Sequence, residues 1–234
     1  MPKIKTTNGI IHYKTIPLYC GFTRIDKIIE EENLLLFKEV MDKNNIPFIF
    51  LGGTLMGAVR EKDFIEHDDD IDLGIDIKYL QSVIDLLPTF IERGFEIARY
   101  DRHCIISIIR KGQYVDLAFF EKYNETTSSC SGWLVLTRFL DNTCYIDFKG
   151  QQYLAPKDYK DYLRCEFGDN WMTPIAYFDF NQPKWKIAII KFSEKIKGIL
   201  PDFIYFPLKR RAEKKVAADY QHRIDVYLNK LKKE

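Results

Sequence analysis

The 234-residue chain reads as an α+β protein: a mixed β-sheet flanked by helices, with a helical C-terminal extension. Three observations predict this. Apolar stripes at 3–4 spacing alternate with short apolar runs bounded by glycine, asparagine and proline. The hydrophobic share is 46% and the charged share 29%, a globular balance over a length of roughly one domain. From Lys184 onward the pattern is lysine-rich and helical.

Residues 1–24 show little periodicity and read as an N-terminal arm or short strands. From Ile25 to Asp42, Ile28, Ile29, Leu34, Leu35, Leu36, Val40 and Met41 form a helical stripe, which Asn44-Asn45 stops. Ile46 to Leu51 is a buried strand followed at once by Gly52-Gly53, and Thr54 to Val59 opens a helix. In the strand Asp70 to Ile75, the apolar Ile71, Leu73 and Ile75 face one side while Asp70, Asp72 and Gly74 face the other. A helix over Tyr79–Arg93 ends at Gly94, and strands follow at Phe95–Tyr100, Cys104–Arg110 and Tyr114–Phe119, with a hairpin turn at Lys111-Gly112. Residues 121–150 are polar, with strand-like pieces at Trp133–Leu136 and Tyr145–Phe148. Lys157 to Phe167 is a helix ended by Gly168-Asp169, and a last basic helix follows Pro207. The expected division is a body of residues 1–183 and an extension of residues 184–234.

Net charge is +1, which leaves the partner class open, but its distribution is uneven. Residues 184–234 hold 14 basic and 6 acidic side chains, a net of +8 against −7 for the rest. A basic tail beside an acidic body suits an anionic surface or a solvated helical face. Within it Trp185, Ile189, Phe192, Ile196 and Ile199 form a 4-3-4-3 stripe. Core or dimer packing is the plain reading of that stripe. The sharper one lays it in a membrane plane, Trp185 and Phe192 dipping in while Lys184, Lys191 and Lys195 meet anionic lipid. Five scattered cysteines (Cys20, Cys104, Cys130, Cys144 and Cys165) offer neither zinc spacing nor a disulfide framework. With no secretory leader and no spanning run, the expected place is the cytoplasm, with peripheral contact to the inner membrane face.

The chemistry concentrates between Leu51 and Ile75. Asp70 and Asp72, at i and i+2 on a strand, point to one side about 6–7 Å apart. Both can reach one Mg²⁺ (or Mn²⁺), a hard ion that wants oxygen and relieves their mutual repulsion. Asp68 shares that parity at the mouth of the strand, as a helper to the metal pair, whereas Asp69 points the other way if the strand has begun there. Gly52, Gly53 and Thr54 follow a strand and open a helix, where small residues and free N–H groups accept phosphate. Arg60 and Lys62 could neutralise a diphosphate, and His67 could shuttle protons. Asp116, an acid inside the apolar run Tyr114–Phe119, suits a third metal ligand or a base for an acceptor hydroxyl.

With those residues in view, the sequence resembles the LicD family, which includes bacterial phosphocholine transferases and fukutin-related proteins. The family signature, G-T-L-L-G-A-V-R and then I-P-W-D-D-D-I-D, corresponds to Gly53-Thr54-Leu55-Met56-Gly57-Ala58-Val59-Arg60 and Ile65-Glu66-His67-Asp68-Asp69-Asp70-Ile71-Asp72. Phe167-Gly168-Asp169-Asn170-Trp171-Met172-Thr173-Pro174 echoes a further Y-G-D-W-x-x-P element. Glu66-His67 stands where the family usually has Pro-Trp.

The resemblance implies a nucleotidyltransferase-like fold and Mg²⁺-dependent transfer of a phospho-alcohol from a CDP-activated donor to a sugar hydroxyl. The acceptor would be a cell-surface glycan, lipopolysaccharide or lipid-linked glycan. Asp70, Asp72 and Asp116 would be the catalytic and metal residues, with Gly52, Gly53, Thr54 and Arg60 at the donor phosphates. CDP-choline is the first-choice donor, with Tyr145, Tyr153, Trp133 and Trp171 as rings available to a quaternary ammonium. CDP-ribitol, CDP-glycerol and true nucleotidyl transfer are the enzymatic alternatives. The non-enzymatic alternative is a basic-tailed adaptor for nucleic acid or membrane, although no nucleic-acid partner is expected.

Overall fold

Alternation along Asp70–Asp76 drives one row of side chains into the core, where Ile71, Leu73 and Ile75 are at most 2% exposed. That strand is central to a nine-stranded mixed sheet in a computed structural model that describes residues 2–16, 24–175 and 183–233. In chain order come β1 (Lys3–Thr6), β2 (Gly9–His12), α1 (Lys27–Lys43), β3 (Ile49–Phe50), α2 (Gly52–Arg60), β4 (Asp70–Asp76) and α3 (Leu80–Glu92). Then follow β5 (Glu96–Tyr100), β6 (Ile105–Arg110), β7 (Gln113–Lys122), β8 (Thr127–Cys130), β9 (Trp133–Leu136) and α4 (Thr137–Asp141). The chain continues with β10 (Thr143–Phe148), β11 (Gln151–Pro156), α5 (Tyr159–Phe167), α6 (Lys184–Ile199) and α7 (Asp202–Leu231).

The strand order is β10-β11-β3-β4-β7-β6-β5, with β8 and β9 continuing from the end of β7. β4 and β7 run parallel with Asp72 opposite Asp116. That register brings acids 44 positions apart in sequence onto adjacent strands. The β6–β7 hairpin turns on Lys111 and Gly112, both left-handed with φ of 53° and 82°, as a tight two-residue hairpin requires.

Three elements differ from the expectations. β3 is only two residues long, because Pro47 has no N–H to give a ladder. Of the arm or short strands expected in residues 1–24, the structure shows the strands, β1 and β2, paired in a hairpin that buries Ile4. Residues 121–150 hold more regular structure than their polarity suggests, and the hairpin of β10 and β11 pairs six residues of each strand. α7 begins at Asp202 rather than after Pro207; a proline this near a helix start removes a single backbone bond.

The two helices of the extension behave differently. α7 packs on β9 and α5 and sends Ile224 and Tyr227 into the core. The described stripe of α6 does not pack there: Trp185 and Phe192 are each 66% exposed. Cys104, Cys130 and Cys165 are buried thiols and Cys144 a partly buried one, while Cys20 lies outside the described residues. Among the described residues no helix is long and apolar enough to cross a membrane.

Candidate active site

Two tight junctions bring the loop before β4 against the start of α2. Gly52 takes a left-handed φ of 51°, and a Cβ there would fall 2.3 Å from Asp72 Oδ2. A Cβ on Gly53 would fall 2.2 Å from Asp68 Oδ2. Only glycine lets two carboxylates sit this close to a helix N-terminus. The Thr54 hydroxyl accepts from the Asp72 N–H at 2.8 Å, so this buried side chain locks helix to strand and does not line the cleft.

Oxygens of Asp68, Asp69 and Asp70 lie within 4.8 Å of one another. The strand has not begun at Asp69, which precedes the first residue of β4, so strand parity does not govern it. Its carboxylate accepts from Tyr114 Oη at 3.3 Å. Asp72 lies outside that triplet but faces the same cleft of about 930 Å³, as do Gly52, Gly53, Arg60, His67 and Asp116. Burial, with the neighbouring acids adding to it, holds Asp70 and Asp72 well above the usual carboxylate range and pushes Asp68 up to about 7. So many half-buried acids on one cleft are costly unless a cation joins them. The donor set is all oxygen and fits a hard divalent ion such as Mg²⁺ or Mn²⁺.

Asp116 is already engaged. Arg99 Nη2 donates to its Oδ2 at 2.8 Å, and Ser107 Oγ donates to its Oδ1. Arg60 is largely committed too, donating through Nη1 to the Trp171 carbonyl at 2.8 Å and through Nη2 to Glu61 at 2.7 Å. It thereby ties α2 to the Phe167–Pro174 element, and its buried Nε has no partner. Lys62 is exposed and lies off the cleft.

Apart from Trp133, the opposite wall comes from residues that the sequence does not mark as part of the site. On α5, Tyr162 and Glu166 stand one turn apart and face the same way. Tyr162 Oη accepts the Gly52 N–H at 3.0 Å. Glu166 Oε2 accepts from Trp133 Nε1 at 3.3 Å, and Tyr220 adds a second side-chain hydrogen bond. Burial pushes Glu166 up to about 7. Arg223 fastens α7 to the Glu166 carbonyl at 2.9 Å, and Arg138 donates to Tyr227 Oη at 2.8 Å. Of the rings named for a quaternary ammonium, Trp133 lines the cleft and stands 6.4 Å from Tyr220. Tyr153 and Trp171 are buried, and Tyr145 is exposed away from the cleft.

A family model described as LicD/FKTN/FKRP, nucleotidyltransferase domain, matches residues 45–187, a span that holds the whole acid wall together with α5. The chain belongs to this family. An uncharacterized protein of Rickettsia typhi, RT0683, is 34% identical over 176 residues, covering 70% of this chain and 51% of that protein. Human ribitol-5-phosphate transferase FKTN is 24% identical over 163 residues, covering 65% of this chain and 35% of that protein. The chain thus spans about half the length, or less, of these curated relatives. The solution structure of the antibiotic-resistance factor ANT(2'')-Ia aligns with a TM-score of 0.44 at 11% identity, covering 89% of this chain and 100% of that one. As a LicD-family member the chain carries its Gly52–Arg60 helix and Asp70–Asp76 strand within the nucleotidyltransferase domain.

Proposed function

We propose that this protein transfers a phospho-alcohol from a CDP-activated donor to a hydroxyl of a glycan, with Mg²⁺ bound by Asp68, Asp70, Asp72 and Asp116. The convergence of those four carboxylates with the start of α2 on one cleft carries the reading. When bound there, the ion would neutralise the donor diphosphate. Leu51 gives the start of α2 no side-chain cap, and beyond the Gly52 N–H, which Tyr162 holds, its N–H groups turn the positive end of the helix toward the same phosphates.

In the step itself, the acceptor oxygen forms a bond to the phosphorus that bears the alcohol. The bond from that phosphorus to the CMP oxygen breaks, and CMP leaves with the electron pair. The acceptor proton needs a base. Asp116 is already held by an arginine and a hydroxyl, one on each oxygen. Asp169 is paired with Lys230. Glu166 is therefore the carboxylate we assign to accept the proton, from the wall facing Asp72. Asp116 then serves as a cation ligand whose orientation Arg99 and Ser107 maintain.

Kinship to proteins named for ribitol-5-phosphate transfer supports ribitol phosphate as the cargo. Phosphocholine is the second reading, favoured by the Trp133 and Tyr220 rings beside Glu166, a face that suits a quaternary ammonium. The test is incubation with Mg²⁺ and CDP-ribitol, CDP-choline or CDP-glycerol in turn, with CMP measured with and without a glycan acceptor. CMP release that depends on one donor is expected. Pyrophosphate release from a nucleoside triphosphate, with all three CDP donors inert, would replace this reading with true nucleotidyl transfer.

A further inference from the structure

We infer that α6 and the first turns of α7 form a docking surface for an anionic lipid bilayer, engaged in the plane of the membrane. An amphipathic helix on a soluble body normally turns its apolar stripe inward. α6 does the opposite. Trp185, Ile189, Phe192, Ile196 and Ile199 fall on one stripe, and all five are exposed, Ile199 to 71%. Phe203, Ile204 and Leu208 extend the apolar surface onto α7, Phe203 at 78% exposure.

The body grips these helices by polar groups at their junction. Arg102 donates to the Leu200 carbonyl at 2.9 Å, the Lys197 carbonyl at 3.4 Å and Asp202 at 2.5 Å. Its guanidinium also stacks 4.5 Å from the Tyr205 ring, and Tyr205 Oη bonds the Asp101 carbonyl. A junction anchored this way is held in place while its apolar face stays outward.

Charge selects the occupant. The α6 sequence holds five lysines and one glutamate. On a helical wheel, Lys184 and Lys195 lie roughly 100° to one side of the stripe and Lys186 and Lys197 roughly 100° to the other. Rows of lysine flanking an apolar ridge place their stems along the acyl boundary and their ammonium groups at lipid phosphates. A second copy of the chain would set like charges against each other across the same ridge. No helix among the described residues can cross a bilayer, so contact of these helices is interfacial.

The surface is tested with the full chain and vesicles of phosphatidylcholine, alone or mixed with phosphatidylglycerol, by co-sedimentation. Binding to the mixed vesicles is expected, weaker by about tenfold or more on phosphatidylcholine alone. Trp185→Asp with Phe192→Asp should abolish it at an unchanged melting temperature. Replacing Lys184, Lys186, Lys195 and Lys197 by Glu should do the same with the ridge intact. Equal pelleting of wild type and either variant would overturn the inference. So would absence of vesicle binding together with concentration-dependent dimerisation that the Asp variant removes.

Discussion

The two walls of the cleft are built in opposite ways. The acid wall comes from one stretch of chain, Gly52 to Asp72, joined by Asp116 through the parallel register of β4 and β7. The facing wall is gathered from Trp133, Glu166, Tyr220, Arg223 and Tyr227, with Tyr162 bracing it from behind, on three separate elements that meet only in the fold. The first wall concentrates negative charge at the expense of stability, whereas the second surrounds a single buried carboxylate with rings and hydrogen-bond donors. The acid wall suits a cation and phosphates; the facing wall suits the handling of a proton and an acceptor.

Asp70→Asn attacks the acid wall and should have the largest effect. Losing one anionic ligand from a shared cation site should cut CMP release on the order of a thousandfold, with the fold intact by circular dichroism. Because burial and neighbouring acids oppose the charge of Asp70, the variant should also melt at a higher temperature than wild type when the metal is withheld. Retained turnover would discredit the cation assignment.

Glu166→Gln attacks the facing wall. Turnover should fall about a hundredfold, and the rise of kcat/KM with pH through about 7, expected for wild type, should disappear. Stability should move the other way. The Glu166 carboxyl holds its proton in the folded protein up to about 7, from an ordinary value of 4.5. Its contribution is thus fully present below about pH 4.5 and is lost as pH rises toward 7, at up to roughly 1.4 kcal/mol per pH unit. The glutamine variant should lack that decline in urea titrations across the window. An unchanged pH–rate profile in Glu166→Gln, with the rise lost in Asp116→Asn, would return the base to β7.

Most of the acid wall could be read from sequence because it is local. Strand parity put Asp70 and Asp72 on one side, and a glycine pair before a helix marked the close approach. What parity could not give was Asp69, which precedes the strand, or the use of Thr54 as a lock between helix and strand. Asp116 was legible as an acid in an apolar run, but Arg99 and Ser107, which fix its chemistry, lie on β5 and β6 and meet it only across the sheet. The facing wall left one local trace, Tyr162 and Glu166 at helical spacing on α5. The remaining parts, Trp133 and the α7 side chains, depend on a long-range packing of α7 that its basic, weakly patterned sequence does not announce.

Gly53→Ala probes the distance between the wall and its helix. The backbone of Gly53 is ordinary, and alanine in a helix is favoured over glycine by roughly 0.5–1 kcal/mol. Stability should therefore hold or rise slightly. The new methyl must displace the Asp68 carboxylate, 2.2 Å from where it would sit. A displaced ligand should lower turnover by some tens of fold and raise the Mg²⁺ concentration needed for half-maximal rate. Normal Mg²⁺ dependence would remove Asp68 from the cation site and leave Asp70, Asp72 and Asp116.

Tyr162→Phe tests whether the two walls are mechanically joined, and it should have the smallest effect on rate. The phenol is buried and its oxygen accepts the Gly52 N–H. Removing it strands a buried donor at the start of α2, worth about 1–3 kcal/mol of stability. If the bond only braces α5 against α2, the melting temperature falls while kcat and the metal requirement stay within a few fold of wild type. If instead it sets the separation of Glu166 from Asp72, kcat falls with KM for donor unchanged, since the proposed arrangement sets the donor phosphates on the acid wall. Glu166 and Tyr162 lie on one turn of α5, so a loss in kcat comparable to that of Glu166→Gln would mean that the facing wall acts as a unit.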